Sequence, residues 1–371
     1  MASASNGFQK QKRLSSLLIN AVLIFICLVW TVPTLGILVT SFRTSEAIYN
    51  SGWWNIFPHL AWQDTGIPII LGPEVNVDGP MTVMGVTATF EQFRAGVSTP
   101  DGKQKLTWYG NKRTRQINVQ EQQFVWFDSK LTLQNYADVL TGKEISFNDG
   151  QGNVITKKGN DLSTAFLNSI AVAVPATIIP ILIAAFAAYG FAWMTFPGRK
   201  FFFTMVVALL VVPLQLALVP ILQDYTRLEL NGTYLAIWLA HAGFGLPLAV
   251  YLLFNYIGEL PRDILESAFI DGASNFTIFT QLILPLSVPA LASFAIFQFL
   301  WVWNDYLVAL VFLGDKTPVV TFALASMVGE KGQDWQLLTA GAFVSMILPL
   351  TVFFALQRYF VRGMLAGSVK G

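Results

Sequence analysis

Six stretches of this chain are long and apolar enough to cross a bilayer, and that feature removes most folds from consideration. A transmembrane helix needs roughly 20 mostly apolar residues. Such runs lie at Leu17 to Phe42, Phe166 to Met194, Phe202 to Leu222, Tyr234 to Ile257, Leu286 to Leu313 and Leu337 to Leu356. Only 12% of the 371 residues are charged, against roughly 25% in an ordinary soluble domain. The expected fold class is therefore an all-α polytopic membrane protein with six transmembrane helices. The first run follows Lys10, Lys12 and Arg13, as a secretory signal would. A signal core, however, is roughly 7 to 15 residues before a small-residue cleavage site. This run is far longer and leads into "RTSEAIYNSGWW", so it reads as an uncleaved span.

The basic residues set the expected orientation. With both termini inside, Lys10, Lys12, Arg13, Arg199, Lys200, Arg262, Arg358, Arg362 and Lys370 fall on the inner face. The short outer loops then hold only Arg227, Lys316 and Lys331, the bias that topology normally follows. A net charge of +1 supplies no global field and gives no reason to expect nucleic acid as a partner. Cys27, the single cysteine, lies in an apolar run. An internal disulfide is excluded, a cysteine metal site is not expected, and the residue reads as a small core or lipid-facing group.

The resulting organisation is an inner N-terminus (1–16), a first span (17–42), an extracytoplasmic domain (43–165) and a five-helix core (166–371). That core carries a cytoplasmic segment at 259–285 and a C-terminal tail. The inserted domain reads as small and β-rich. "MTVMGVTATF" (Met81 to Phe90), "KLTWY" (Lys105 to Tyr109) and "INVQEQQFVWF" (Ile117 to Phe127) are strand-like runs separated by turn material. "TLQNYADVL" (Thr132 to Leu140) reads as a helix with Leu133, Tyr136 and Leu140 on one face. Recognition of a delivering partner and bracing of the membrane helices are both open for this domain.

The cytoplasmic segment contains "ESAFIDGASNFTIFTQLILP", Glu266 to Pro285. Asp263 is expected to cap a helix, with Glu266 three residues later completing a capping box. Leu265, Ala268, Phe269 and Gly272 recur at i, i+3, i+4 and i+7 and mark one short apolar face. Gly272 follows Asp271 where that helix must stop, the left-handed position that glycine occupies most cheaply. A second helix, Ser274 to Leu284, returns toward the membrane, and Pro285 marks the start of the fifth span. On these residues alone, an interfacial amphipathic helix with no partner remains open.

The pattern resembles the cytoplasmic motif of ABC importer permeases, written EAA, then a DGA turn, then F, I and LP. Glu266, Ala268, Asp271, Gly272, Ala273, Phe279, Leu284 and Pro285 match, while Ser267 stands for Ala and Leu282 for Ile. The likeness extends to "LNSIAVAV", "AAYGFAWMTFPGRK", "WVWNDYLVALVFL" and the tail "QRYFVRGMLAGSVKG", which look like the maltose-type second permease subunit of carbohydrate importers. The enlarged outer segment looks more like permeases of α-glucoside import systems.

The resemblance implies a non-catalytic permease in a bacterial inner membrane, importing carbohydrate, with α-glucosides or related oligosaccharides as the narrower expectation. It implies a second homologous permease, two cytoplasmic ATPase subunits and an extracytoplasmic sugar-binding protein as partners, besides the lipid bilayer. Leu265, Glu266, Ala268, Phe269, Asp271, Gly272 and Ala273 would form the coupling helix that docks in a groove of the ATPase. Glu266 would be its charged anchor, and Leu265, Ala268 and Phe269 its groove-filling face. The tail would reach between the ATPase subunits. Nowhere does the chain contain G-x-x-x-x-G-K-[ST]; "GKQKLT" lacks the first glycine. With no phosphate cradle of its own, no cofactor is expected on this chain, and ATP and Mg belong to the partner ATPase.

Polar residues inside spans are costly in lipid and so mark a pathway. Gln215, Gln298, Trp303, Asn304 and Asp305 are the expected pathway residues, since amides, a carboxylate and an aromatic platform suit sugar hydroxyls and ring faces. His241 has no second ligand nearby, so no metal is expected. Pro213, Pro220 and Pro247 read as kinks. A stand-alone secondary transporter or channel is the alternative, for which Asp305 is the one convincing intramembrane carboxylate. A sensor would need a cytoplasmic output domain, and an enzyme would need a nucleophile with its base or a carboxylate pair. Neither is evident in the sequence.

Overall fold

The computed structural model describes residues 2–126, 131–142, 144–148, 154–159, 161–327 and 334–366. The chain forms two compact units, Met1–Thr132 and Leu133–Gly371. Phe127, Lys331, Lys370 and the end of the tail, named above, lie outside the described residues.

In the first unit, helix α1 (Ala2–Ser41) carries the first apolar run. Its large apolar side chains from Leu14 to Ile37 are exposed, as lipid contact requires. Beyond it, the buried Arg43 guanidinium donates to the Ala47 carbonyl at 2.8 Å and the Ser51 carbonyl at 3.0 Å, which fastens helix α2 (Ser45–Asn50) to the end of α1. Strands β1 (His59–Asp64), β2 (Ile69–Ile70), β3 (Met81–Val83) and β4 (Val86–Ala88) follow. Helix α3 (Phe90–Ala95) and strands β5 (Val97–Ser98), β6 (Gln104–Tyr109) and β7 (Gln116–Val125) complete the unit.

The antiparallel sheet runs β1-β7-β6-β5, with β2 also on β7. The run expected at Met81 to Phe90 is a hairpin rather than one strand. Met84 and Gly85 both take positive φ, 49° and 77°, the pair a tight hairpin turn demands. Thr89 and Gln92 then form a capping box, so Phe90 opens α3 instead of extending a strand. Phe93, Leu106 and Ile117 are fully buried with Trp108 beneath the sheet. At the surface, Lys112 lies 2.7 Å from Asp78, and its ammonium holds that carboxyl below the ordinary carboxylate range.

The second unit opens with helix α4 (Gln134–Thr141), strands β8 (Glu144–Asn148) and β9 (Val154–Lys158), and helix α5 (Leu162–Trp193). Helices α6 (Arg199–Ala208), α7 (Leu214–Arg227) and α8 (Tyr234–Gly258) come next, then α9 (Arg262–Ile270), α10 (Asn275–Ile278), α11 (Leu284–Leu286) and α12 (Val288–Trp303). The last are α13 (Leu307–Phe312), α14 (Val320–Met327) and α15 (Trp335–Ala366). In α4 the inward face is Asn135 and Val139, with Tyr136 packed beside them. Leu133 and Leu140, expected to share that face, are exposed. Leu133 is the N-cap, so helical spacing does not govern where it points.

Among the described residues, α1, α5, α8 and α15 contain continuous helices long and apolar enough to cross a membrane. The third expected span is a bent pair, turning by 103° between Val211 and Leu214, and the chain turns by 71° between Leu286 and Val288, where the fifth expected span begins. A kink was expected at Pro213, and the sharper break found there has a local cause. Val212 precedes Pro213 and is extended (φ −73°, ψ 117°), because the proline ring disfavours the helical region for its predecessor. The fifth run breaks again after Trp303, where Asn304 Nδ2 returns to the Leu300 carbonyl at 2.8 Å. Asp305 Oδ2 accepts from Ala309 N at 3.1 Å. Short polar side chains at this joint compete with the helix for its own backbone groups.

Prolines within the other spans also determine the packing. A proline removes the N–H that the carbonyl four residues earlier would accept, and in a lipid-embedded helix neighbours must replace it. Pro175 frees the Ala171 carbonyl, which accepts from Trp238 Nε1 on α8 at 2.8 Å. Pro180 frees the Ala176 carbonyl, which accepts from Gln298 Nε2 on α12 at 3.1 Å. Pro349 in α15 frees the Ser345 carbonyl, which accepts from Trp303 Nε1 at 3.1 Å. Where Pro261 follows α8, Trp193 Nε1 donates to the Ile257 carbonyl at 2.9 Å. Each bond ties one helix to another at the point where its ladder is open. Gly245 makes room for one of them, since a Cβ there would lie 2.5 Å from Gln298 Oε1.

Candidate functional site

Between α8 and α12 the chain leaves the long helices and builds the segment that the sequence singled out. Pro261, not Asp263, precedes α9 and is its N-cap, and no side chain caps that end. Asp263 sits in the first turn, where a carboxylate still complements the helix dipole. The capping box expected from Asp263 and Glu266 is therefore absent, because the proline starts the helix earlier.

The other end forms as expected and shows why its residue types are needed. Gly272 takes φ +78°. Its N–H donates to the Phe269 carbonyl at 3.1 Å, and the Ala273 N–H donates to the Ala268 carbonyl at 3.0 Å. This pair of bonds is the Schellman closure, which brings the residue after the glycine against the one five before it. Ala268 and Ala273 are those residues, and both pack against the same buried cluster. Ser274 Oγ then accepts from Thr277 N at 3.1 Å and starts α10. The chain continues through a π-helical turn, Phe279–Ile283, into α11. Pro285 does not stop the helix; the bend falls at Ser287.

The second arm is clamped to α5. Phe279 meets the Phe186 and Tyr189 rings at 5.3 and 5.8 Å, and Tyr189 OH donates to Asn275 Oδ1 at 3.1 Å. Leu265, Ile278 and Ile283 are buried in the cluster with Tyr189, Leu253 and Ile257. A turn between two short helices is thus rigidly carried by α5, α8 and the start of α12.

The faces of α9 differ from the expected groove-filling set. Leu265 is 1% exposed and belongs to this chain's own core, and Ala268 is half-buried beside it. The apolar surface that remains open includes Ile270 at 85%, Phe276 at 69%, Phe269 at 43% and Ile264 at 40%, with Glu266 and Asp271 also exposed. Of the expected face, Leu265 and Ala268 turn inward, while Phe269 lies outward. Ile270 and Phe276 were missed, although an isoleucine off the apolar face beside a glycine turn was the available signal. Replacing Leu265 with Ala should lower the thermal stability of the purified chain by about 2–4 kcal/mol. Ile270→Ala should change it by less than about 0.5 kcal/mol. Equal losses in thermal unfolding would mean that this assignment of faces is wrong.

The five expected pathway residues do not form one site. Gln215 is exposed in the first turn of α7. Gln298 and Trp303 are buried and donate to proline-freed carbonyls, Trp303 also stacking on Phe299 at 5.7 Å. Asn304 is exposed and bonded to its own helix. Asp305 Oδ2 accepts from Ala309 N in the first turn of α13, and its carboxylate approaches His241 Nε2 at 3.8 Å. A separate cavity of about 490 Å³ opens beside the bend between α6 and α7, lined by Val212, Tyr225, Phe244, Pro247 and Trp301 among others.

The chain matches the family described as "Binding-protein-dependent transport system inner membrane component" over residues 180–366. It is 45% identical over 368 residues to the osmoprotective compounds uptake permease protein GgtD of Synechocystis sp., covering 99% of this chain and 96% of that protein. It is 44% identical over 384 residues to the alpha-glucoside transport system permease protein AglG of Rhizobium meliloti, covering 95% and 97%. The trehalose/maltose transport system permease protein MalG of Thermococcus litoralis is 33% identical over 246 residues, covering 65% and 82%.

Proposed function

This chain belongs to the family of inner-membrane components of binding-protein-dependent transport systems, and on that premise we propose that it is the permease subunit of an ATP-binding-cassette importer for carbohydrate. It is a multi-pass membrane protein, with both termini and α9 to α11 on the cytoplasmic side. A second permease completes the pathway, two ATPase subunits bind below, and a sugar-binding protein delivers from outside. The observation that carries the substrate class is the end-to-end likeness to the alpha-glucoside permease of R. meliloti, 97% of which is matched. The α-glucosides are therefore the proposed cargo.

The mechanism follows from how the segment is held. The exposed face of Glu266, Phe269, Ile270 and Phe276 docks in the ATPase groove, with Glu266 meeting a basic residue there. Closure of the ATPase pair upon ATP pushes on this face. Because the Schellman turn and the Phe279 clamp leave little slack, the push passes into α12 and α5 as rigid-body motion. The joints at Val212–Pro213 and Asn304–Tyr306 let the spans above bend, opening the pathway alternately to each side. The 490 Å³ cavity beside the first joint is of a size that holds small ligands, and Tyr225, Phe244 and Trp301 offer aromatic faces to a passing sugar ring. ATP and Mg stay with the ATPase; this chain contributes movement.

Co-expression with its genomic neighbours should recover the chain in a complex with an ATPase. That complex should hydrolyse ATP faster when its binding protein carries an α-linked disaccharide than when it carries a β-linked one. A complex with no ATPase would return the chain to the stand-alone reading. Stimulation indifferent to the linkage would remove the α-glucoside assignment and keep the permease.

A further inference from the structure

Where α5, α8, α13 and the joint Asn304–Tyr306 meet lies a second, much smaller cavity of about 10 Å³, lined by Ser169, His241, Trp303 and Asp305 with Val172, Ile237 and other apolar side chains. A space of this size holds about one water molecule. His241 is wholly buried, held edge-on by the Trp301 ring at 5.3 Å, and neither of its ring nitrogens has a hydrogen-bond partner among the described residues. The carboxylate Oδ2 of Asp305 is 3.8 Å from Nε2, beyond hydrogen-bond reach. An imidazole sealed from solvent with no partner is costly, and the cavity offers a way to supply one.

The lining has the polar groups a buried water needs, which are two to four. Asp305 Oδ2 accepts one bond from Ala309 N at 3.1 Å, and a carboxylate oxygen accepts more than one. Ser169 Oγ accepts from Val320 N at 2.8 Å, which leaves its hydroxyl proton free to donate. We propose that the cavity is a built site for one ordered water that bridges His241 on α8 to Asp305 at the joint, with Ser169 of α5 as third partner. His241 is then a positioning residue. Through the water it holds the broken end of the fifth span, which Thr321 Oγ1 also grips through the Asp305 carbonyl at 2.7 Å.

A density map of the intact transporter, at a resolution that shows ordered waters, tests the site directly. A peak within hydrogen-bond distance of both His241 and Asp305 is expected. An empty cavity, or a His241–Asp305 contact with no water, would overturn the proposal. A double-mutant cycle on the purified complex tests the coupling through a different readout. His241→Phe keeps the ring shape and removes both nitrogens; Asp305→Asn keeps an acceptor for Ala309 N. Each alone should lower the folded-to-unfolded ratio roughly tenfold, and the pair should be no worse than either. Losses that multiply would show that the two residues act separately and would overturn the bridge.

Discussion

Gly272→Val should reduce substrate uptake roughly 5- to 30-fold while the chain still inserts in the membrane, because the substitution attacks the turn and nothing else. A Cβ at this position would meet no atom within 4 Å, so the harm is not steric crowding. It is conformational: φ is +78°, and a left-handed position costs an ordinary residue about 1–2 kcal/mol, with β-branched side chains worst placed. That is a factor of roughly 5–30 in the population of the closed turn. With the turn open, the bonds from Gly272 N and Ala273 N to the Phe269 and Ala268 carbonyls are lost, and α9 is no longer held in place against α10. Gly272→Asn tolerates the left-handed region better and should retain several-fold more uptake than the valine variant. Uptake assays paired with membrane fractionation check this; wild-type uptake by the valine variant would remove the turn from the mechanism.

The second large effect concerns Gln298. Gln298→Leu keeps the volume but leaves the Ala176 carbonyl, already abandoned by Pro180, without its donor at 3.1 Å. An orphaned buried carbonyl costs about 1–3 kcal/mol, and thermal unfolding of the purified chain should fall accordingly. Pro180→Ala restores an N–H four residues after Ala176. In the double variant the helix closes its own ladder, and most of the lost stability should return. If Pro180→Ala brings no recovery, or adds its own loss to the first, the pairing of prolines with side-chain donors is not what holds these helices together.

Much of this was legible because it is local. The apolar runs needed only composition, and the Asp271–Gly272–Ala273 turn needed only the rule that glycine ends a helix in the left-handed region. What escaped depends on chain segments far apart in sequence. Gln298 and Trp303 were read as pathway residues because polar and aromatic groups inside a span invite that reading. Both donate to carbonyls 122 and 42 residues distant, and nothing near either residue announces those partners. That Leu265 faces inward was missed for a related reason. Leu265 faces a cluster assembled from α5, α8 and the π-helical turn, and periodicity reports that a helix has an apolar side without saying what covers it. The kink at Pro213 was legible from the proline itself; its sharpness, 103°, depends on Val212 being forced into an extended conformation.

The central claim is that the exposed turn after α9 receives the push of the ATPase. A photo-cross-linking residue placed at Ile270, the most exposed large apolar side chain of the segment at 85%, tests it in the assembled importer. A covalent adduct with the ATPase subunit is expected, with no such adduct when the probe replaces buried Leu265 and loss of the Ile270 adduct in the Gly272→Val background. Adducts from position 270 that join only lipid or this chain itself would contradict it.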